Sequence, residues 1–363
     1  ENKCIHINRG LLCYYKKGEK VIKLGPPKTS NSYRTIPFIG NVETMFRRQK
    51  EKLEAYKKRY KGPIDLPDDM QVIADLLRKS ISYNKFNENV IQSAKTLEDS
   101  LSMFITNADG DLSSNELLNQ TKEIIVMSEN PIRTFHMMHK IRKYDDATFI
   151  HSLNVAILCN MFGHWINMPQ DDLDVLTLAG LLHDVGKMKI PEEIIKKPGI
   201  LTEEEYTEIK NHPRRGYNLL KPMKLDERIK KVALMHHERC DGSGYPDGLR
   251  GDQIDEFAKI VAIADVYDAL TSARVYRGAL CPFEVINMVV EQDGDKRFDP
   301  KYLHPFLEGV VKSFIGCEVV LSDGEKGTIV AMHADELARP SVCVSGKVLD
   351  LREMSDVTIQ MML

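Results

Sequence analysis

The stretch Gly180–Pro191, GLLHDVGKMKIP, closes an apolar run with a histidine and an aspartate side by side and places a lysine four residues after the histidine. An imidazole or a carboxylate is costly to bury alone, so an apolar segment that ends on both needs something to compensate them. Neighbouring helix positions point about 100° apart, so His183 and Asp184 reach one site only if it lies between their directions. The stretch therefore predicts a helical fold with a polar centre, and the rest of the chain should supply the other half of that centre.

Working outward, the same kind of group recurs in "TFIHSLNVA" (His151), "KNHPRRG" (His212), "LMHHERCDGSGYPDGLRG" (His236, His237) and "VAIADVYDAL" (Asp265). Each lies in or beside an apolar helical segment. A cation shared among them would compensate their burial, and imidazole with carboxylate oxygen suits iron, manganese, cobalt or zinc. Taken singly, each has a plainer reading: a histidine satisfied within a core, or an acid bonded to nearby backbone. Their gathering in one helical region, beside a glycine-rich turn that helix packing does not require, favours the shared cation.

The expected fold class is mainly α, a helical bundle around this centre, with a smaller mixed α/β N-terminal region and a short β-rich C-terminal appendage. Residues 1–111 read as a regulatory region of strands ("LLCYY", "KVIKLG") followed by charged and then amphipathic helices. Its basic stretch from Arg47 to Lys61 reads as a solvated helix face. Residues 112–310 read as helix almost throughout. Ser113 with Glu116 and Thr202 with Glu205 fit capping boxes, and Pro213 suits a first helical position with His212 at the cap. Residues 311–363 change to strand patterning, as in "CEVVLSDGEKGTIVAMH" and "PSVCVSGKVLDL".

Composition sets bounds on partners. The 363 residues suffice for two or three domains, and 42% hydrophobic content is ordinary for a globular protein. Fifty basic and 53 acidic residues leave a formal charge of -3, which gives no argument for a nucleic-acid polymer or an anionic membrane as partner. No apolar run reaches the roughly 18 residues of a membrane span. Seven cysteines without a CxxC pair fit reduced thiols in a cytoplasmic protein. The chain opens on Glu1, and the expectation is a fragment of a longer protein whose preceding part carried a sensor or an anchor.

"HDVGK" followed by "HHERCDGSGYPDGLRG", with "HSLNVA" before, "HPRRG" between and "ADVYDALTSARVYR" after, resembles the HD-GYP family of the HD-domain metal-dependent phosphohydrolases. The resemblance covers residues 112 to 310. It implies a helical bundle around a bi- or trinuclear centre, of iron or manganese, that hydrolyses cyclic di-GMP to pGpG and on to GMP by attack of metal-activated water on phosphorus. The implied metal ligands are His151, His183, Asp184, His212, His236, His237 and Asp265, with Asp184 bridging two metals. Lys187, one turn beyond His183, would stabilise the phosphoryl charge or the leaving oxygen if the helix continues that far. Its plainer reading is a lysine near a helix C-terminus. In the loop, Gly244 would make room and Tyr245 would contact guanine or phosphate. Asp268, Arg274 and Arg277 complete the implied substrate contacts.

Where some family members carry a glutamate that binds a third metal, this chain has Ala147, so two divalent metals are expected. His136 and His139, three apart without a carboxylate motif, read as structural. Two further functions compete with cyclic di-GMP hydrolysis: the same chemistry on another cyclic dinucleotide such as cyclic GMP-AMP, and a non-catalytic receptor or docking module. A homodimer or a signalling protein is the expected macromolecular partner.

Overall fold

The computed structural model of the chain describes residues 4–6, 10–16, 19–25, 35–37, 88, 89, 92, 93, 95–100, 102, 103, 114–127, 147–195, 197, 199–272, 280–291 and 294–362. Arg47–Lys61, Ser113, His136, His139, Arg274 and Arg277 lie outside them. Two units divide the chain, Glu1–Leu77 and Arg78–Leu363. In the first, the runs read as strands are strands. β1 (Cys4–His6) pairs antiparallel with β4 (Thr35–Pro37), and β2 (Gly10–Lys16) with β3 (Glu19–Gly25), the latter with Leu11 opposite Leu24 and Tyr14 opposite Val21.

In the second unit the sequence's most continuous apolar segments become its central helices. α1 (Ser114–Met127) leads to α2 (Ala147–Trp165), whose residues 151–163 are all buried. α3 (Gln170–Leu182) packs along α2. Then come α4 (Glu203–Ile209), α5 (His212–Leu220), α6 (Glu227–Met235) and α7 (Glu256–Thr271), and α7 packs against both α2 and α6. α8 (Pro282–Glu291) and α9 (Pro300–Lys312) close the bundle. α2 and α7 carry apolar residues on nearly every side, as helices enclosed by neighbours do. Their buried Ile157, Leu158, Phe162, Ile260 and Val261 contribute about 1.5–3 kcal/mol each, which offsets the polar groups set among them.

Helix starts follow the capping rules. Thr202 and Glu205 form the expected capping box, each side chain bonded to the other's backbone N–H. Asp226, Asp255 and Asp299 each accept from the N–H two residues on, holding the starts of α6, α7 and α9. α5 begins one residue earlier than the proline predicts: Asn211 is the cap, His212 is already helical and Pro213 follows it. Pro tolerates either place, because the first turn's N–H groups have no intrahelical acceptor.

The C-terminal strands β5 (Glu318–Leu321), β6 (Lys326–Ala331), β7 (Ser341–Val344), β8 (Lys347–Asp350) and β9 (Ile359–Met362) form one antiparallel sheet in the order β8-β7-β6-β5-β9. Val319, Leu321, Ile329 and Val342 are fully buried and continue the apolar core of the bundle, so the sheet shares that core rather than hanging from it. Among the described residues no helix is long and apolar enough to cross a membrane. Cys159, Cys240, Cys281, Cys317 and Cys343 are free thiols.

Candidate metal centre

The ends and inner turns of α2, α3, α5, α6 and α7 converge on one polar centre. α3 stops at Leu182, so His183 caps its C-terminus and Asp184 precedes a tight 3-10 turn, Val185–Lys189. His183 keeps helical backbone angles and the chain leaves the helix at Asp184, and both side chains face the centre. Gly186 makes the turn possible: a Cβ there would fall on the His212 carbonyl and lie 2.5 Å from the Gly216 N–H, so α5 can sit directly against the turn. His212 opens α5, His236 caps the end of α6 with His237 next, and Asp265 comes from the third turn of α7. His151 approaches from the second turn of α2.

Backbone carbonyls fix how three of the imidazoles present themselves. The Nδ1–H of His183 donates to Gly180 O (2.7 Å), that of His212 to Ile209 O (2.7 Å) and that of His236 to Val232 O (3.0 Å). With Nδ1–H engaged there, each ring turns its Nε2 into the centre. Asp184 lies between the rings. Its Oδ2 is 3.3 Å from His183 Nε2 and 3.8 Å from His151 Nε2, while its Oδ1 is 3.3 Å from His212 Nε2 and 3.6 Å from His236 Nε2. Asp265 sets Oδ1 3.0 Å from His151 Nε2 and Oδ2 3.9 Å from His237 Nδ1.

These atoms form two groups, Asp184–His212–His236–His237 and His151–His183–Asp265, and within each the potential ligand atoms lie within 4.8 Å of one another. Several features fit a cation in each. His183 Nε2 and Asp184 Oδ1 are buried with no hydrogen-bond partner, a state that costs about 1–3 kcal/mol per group unless something binds them. The Nε2 atoms of His212 and His236 face each other at 3.2 Å, both turned into the centre.

At the two carboxylates and at His236 and His237 the charge states suit ligation as well, whereas His151 must give up a proton before it can ligate. Burial drives His236 down to about 4, helped by its neighbouring histidines, and holds His237 well below the usual imidazole range. Burial works against ionisation of Asp184, yet Lys187 and His183 keep its carboxyl well below the usual carboxylate range, and His151 does the same for Asp265. Burial also opposes a charged His151, but its hydrogen bonds to Asp265 and Asp268 outweigh that and raise it to about 9.

A model of the HD domain family matches residues 118–302, just over half of the chain. The chain belongs to the HD domain family. The chain is 36% identical over 206 residues to a cyclic di-GMP phosphodiesterase of Pseudomonas aeruginosa, covering 56% of this chain and 49% of that protein. It is 43% identical over 152 residues to the 3'3'-cGAMP-specific phosphodiesterase 1 of Vibrio cholerae, covering 42% of this chain and 35% of that protein. The chain thus spans half or less of the length of these relatives. Among solved structures, an HDG"Y"P protein from Bdellovibrio bacteriovorus aligns over 86% of this chain and 100% of its own at 18% identity, with a TM-score of 0.49.

The HD domain places the other expected residues unequally. Lys187 sits in the 3-10 turn rather than on a continued helix, and its Nζ is 2.5 Å from Asp184 Oδ2. Tyr245 stacks on His237 with ring centroids 4.6 Å apart, and its N–H donates to His237 O at 3.2 Å. Gly244 lets the loop fold back so closely, since a Cβ there would lie 2.5 Å from both Glu238 Cα and His237 O. Asp268, expected at the substrate, stands instead behind His151. It is buried, and its carboxylate accepts from His151 Nδ1 (2.8 Å), Asn154 (3.2 Å) and Ser272 (3.2 Å). The reason is helical spacing: three residues after Asp265, it lies on the same face of α7 one turn deeper and meets the other nitrogen of the same ring.

Glu238 is a supporting residue of the HD domain that the sequence reading did not single out. It is 2% exposed, and its two oxygens accept from the N–H groups of Asp247 (2.8 Å) and Leu249 (2.9 Å), tying down the far side of the Tyr245 loop. The available signal was an acid directly after two histidines in an apolar surround. Glu238→Gln replaces one acceptor with a donor facing a donor, which costs about 1–3 kcal/mol. A melting temperature lower by several degrees is expected in a thermal shift measurement, and an unshifted one would mean the loop is held elsewhere.

Proposed function

We propose that this HD domain is a metal-dependent phosphodiesterase that hydrolyses cyclic di-GMP to linear pGpG and on to GMP, in the cytoplasm. The observation that carries the reading is the Asp184 carboxylate, which faces a different imidazole group with each oxygen and bears Lys187 on one of them. Two divalent ions, iron or manganese, would be held by His151, His183 and Asp265 on one side and by His212, His236 and His237 on the other, bridged by Asp184. Bound there, the metal pair supplies a water of lowered pKa and positive charge for the phosphate oxygens. The protein's own residues do the rest. Asp268 orients His151 through Nδ1, backbone carbonyls orient His183, His212 and His236, and Lys187 meets charge developing on the phosphoryl group or the leaving oxygen. Tyr245 and Gly244 form the wall against which guanine rests, and Arg274 and Arg277 take the phosphates. Residues 112–310 are the catalytic domain in this reading, with residues 1–111 regulatory and residues 311–363 an extension of it.

A second reading keeps the site and changes the base. The similarity to a 3'3'-cGAMP-specific enzyme supports cyclic GMP-AMP as the alternative substrate. Protein purified without oxygen, analysed for metal and incubated with each nucleotide in parallel, separates the readings by chromatography of products. Cyclic di-GMP is expected to be cleaved with about two metals per chain. Faster cleavage of cyclic GMP-AMP would reassign the substrate, and metal-loaded protein that cleaves neither nucleotide would make the chain a receptor.

A further inference from the structure

The stretch HPRRG gives the centre its ligand His212, and three residues later it sends a second side chain toward the turn that carries Lys187. The guanidinium of Arg215 is a fork between two elements. One nitrogen donates to the backbone carbonyl of Lys189, the last residue of that 3-10 turn, and another donates to Glu208 Oε1 of α4 at 2.6 Å. The turn has use for such a tie. Within it the Lys187 N–H donates to Asp184 O (2.9 Å) and the Ile190 N–H to Lys187 O (3.0 Å), which fixes its shape but not its place in the bundle. The final carbonyls of a helical turn find no donor inside it, and Arg215 meets that of Lys189. At the other end Gly186 packs against the His212 carbonyl and the Gly216 N–H. α5 therefore seats the turn at both ends, and Lys187 lies between the two seats with its Nζ 2.5 Å from Asp184 Oδ2. Neighbouring Arg214 serves a different part of the site, pairing with Asp247 in the Tyr245 loop.

We propose that Arg215 is a positioning residue for the reaction: by tying the Lys189 carbonyl to α5 and α4 it fixes the far end of the turn and so aims the Lys187 ammonium at the phosphoryl group. The inference rests on the phosphodiesterase reading above. Magnitudes separate this role from a structural one. Arg215 and Glu208 are each about one third exposed, and an ion pair so open to water adds little to folding stability. Placement of a donor on developing charge is far less forgiving, since a shift of about 1 Å can lower a rate by up to about 10²-fold. Arginine suits the task because its planar fork meets two acceptors at once, where a lysine would offer a single point charge. Metal ligation lies outside its reach: Asp184 precedes the turn, at the end that Gly186 seats.

A double-mutant cycle on metal-loaded protein, with cyclic di-GMP as substrate, tests the assignment. Arg215→Met is expected to lower kcat about 10-fold while KM and metal content stay within about 2-fold of the native values. Glu208→Ala, which frees the fork at its other end, should lower kcat in the same sense. The deciding variant adds Arg215→Met to Lys187→Met: with no ammonium left to aim, the second substitution should change kcat by less than about 2-fold. A further loss of about 10-fold in that background means that Arg215 does not act through Lys187. That result, or an Arg215→Met variant that keeps native kcat or loses metal, overturns the inference while leaving the phosphodiesterase reading standing. Metal-loaded native protein that cleaves no cyclic dinucleotide overturns both.

Discussion

Replacing Asp184 by alanine is expected to remove bound metal and turnover together. The two oxygens of this carboxylate divide between the imidazole groups, 3.3 Å from His183 on one side and 3.3 Å from His212 on the other. Its loss takes a ligand from both groups at once and leaves four inward-facing imidazoles with no anion between them. Metal analysis should read below one ion per chain where the native protein reads about two. Turnover should fall by about 10³-fold or more, the several kcal/mol that metal charge contributes to a phosphoryl transition state. Because Asp184 is buried, Asp184→Asn serves as a second variant that keeps the volume and loses the charge. Retained activity in either folded variant would remove the metal centre from the mechanism.

Lys187→Met is expected to divide the two effects that Asp184 joins. The ammonium has three donors, of which one meets Asp184 Oδ2, and the side chain is about one quarter exposed, so it faces both the carboxylate and the opening of the site. Without it, kcat should fall about 10²–10³-fold, the usual cost of removing one donor aimed at developing charge. Metal content should stay near the native value, because the imidazoles and Asp265 remain. Lys187 also helps hold the Asp184 carboxyl low, so its loss should raise that group toward the usual carboxylate range. Metal loading of the variant should then fall off at a higher pH than in the native protein as the medium is acidified, since a carboxyl must lose its proton to ligate. A variant that loses metal at neutral pH would make Lys187 a structural partner of Asp184 rather than a catalytic residue.

The legible parts of the site were those whose chemistry shows in residue type. His151, His183, Asp184, His212, His236, His237 and Asp265 could be picked out because ionisable groups inside apolar helical runs are costly unless compensated, and the structure brings all seven to one centre. Asp268 could not be placed by the same reasoning. Its spacing from Asp265 put it on the right face of α7 but did not say which of the centre's two layers that face would meet. Glu238 escaped because its partners are backbone N–H groups 9 and 11 residues further on, and only the closed loop brings them to it.

By itself the sequence determined the helical class, the strand pairs in residues 10–25, the β-rich C-terminus, the capping box at Thr202 and the set of groups that must share a centre. These follow from local periodicity, from backbone satisfaction within a few residues and from the cost of burying charge, none of which needs the partner's position. The tertiary structure alone decided that α3 ends at Leu182 so that His183 and Asp184 both turn inward, and that Asp184 divides its oxygens between the two groups. It also decided that Asp268 supports a ligand and that the C-terminal sheet shares the bundle's core. Such features depend on which elements pack together and at what distance, and the close seating of α5 on Gly186, where a Cβ would fall 1.9 Å from the His212 carbonyl oxygen, cannot be read from spacing along one chain.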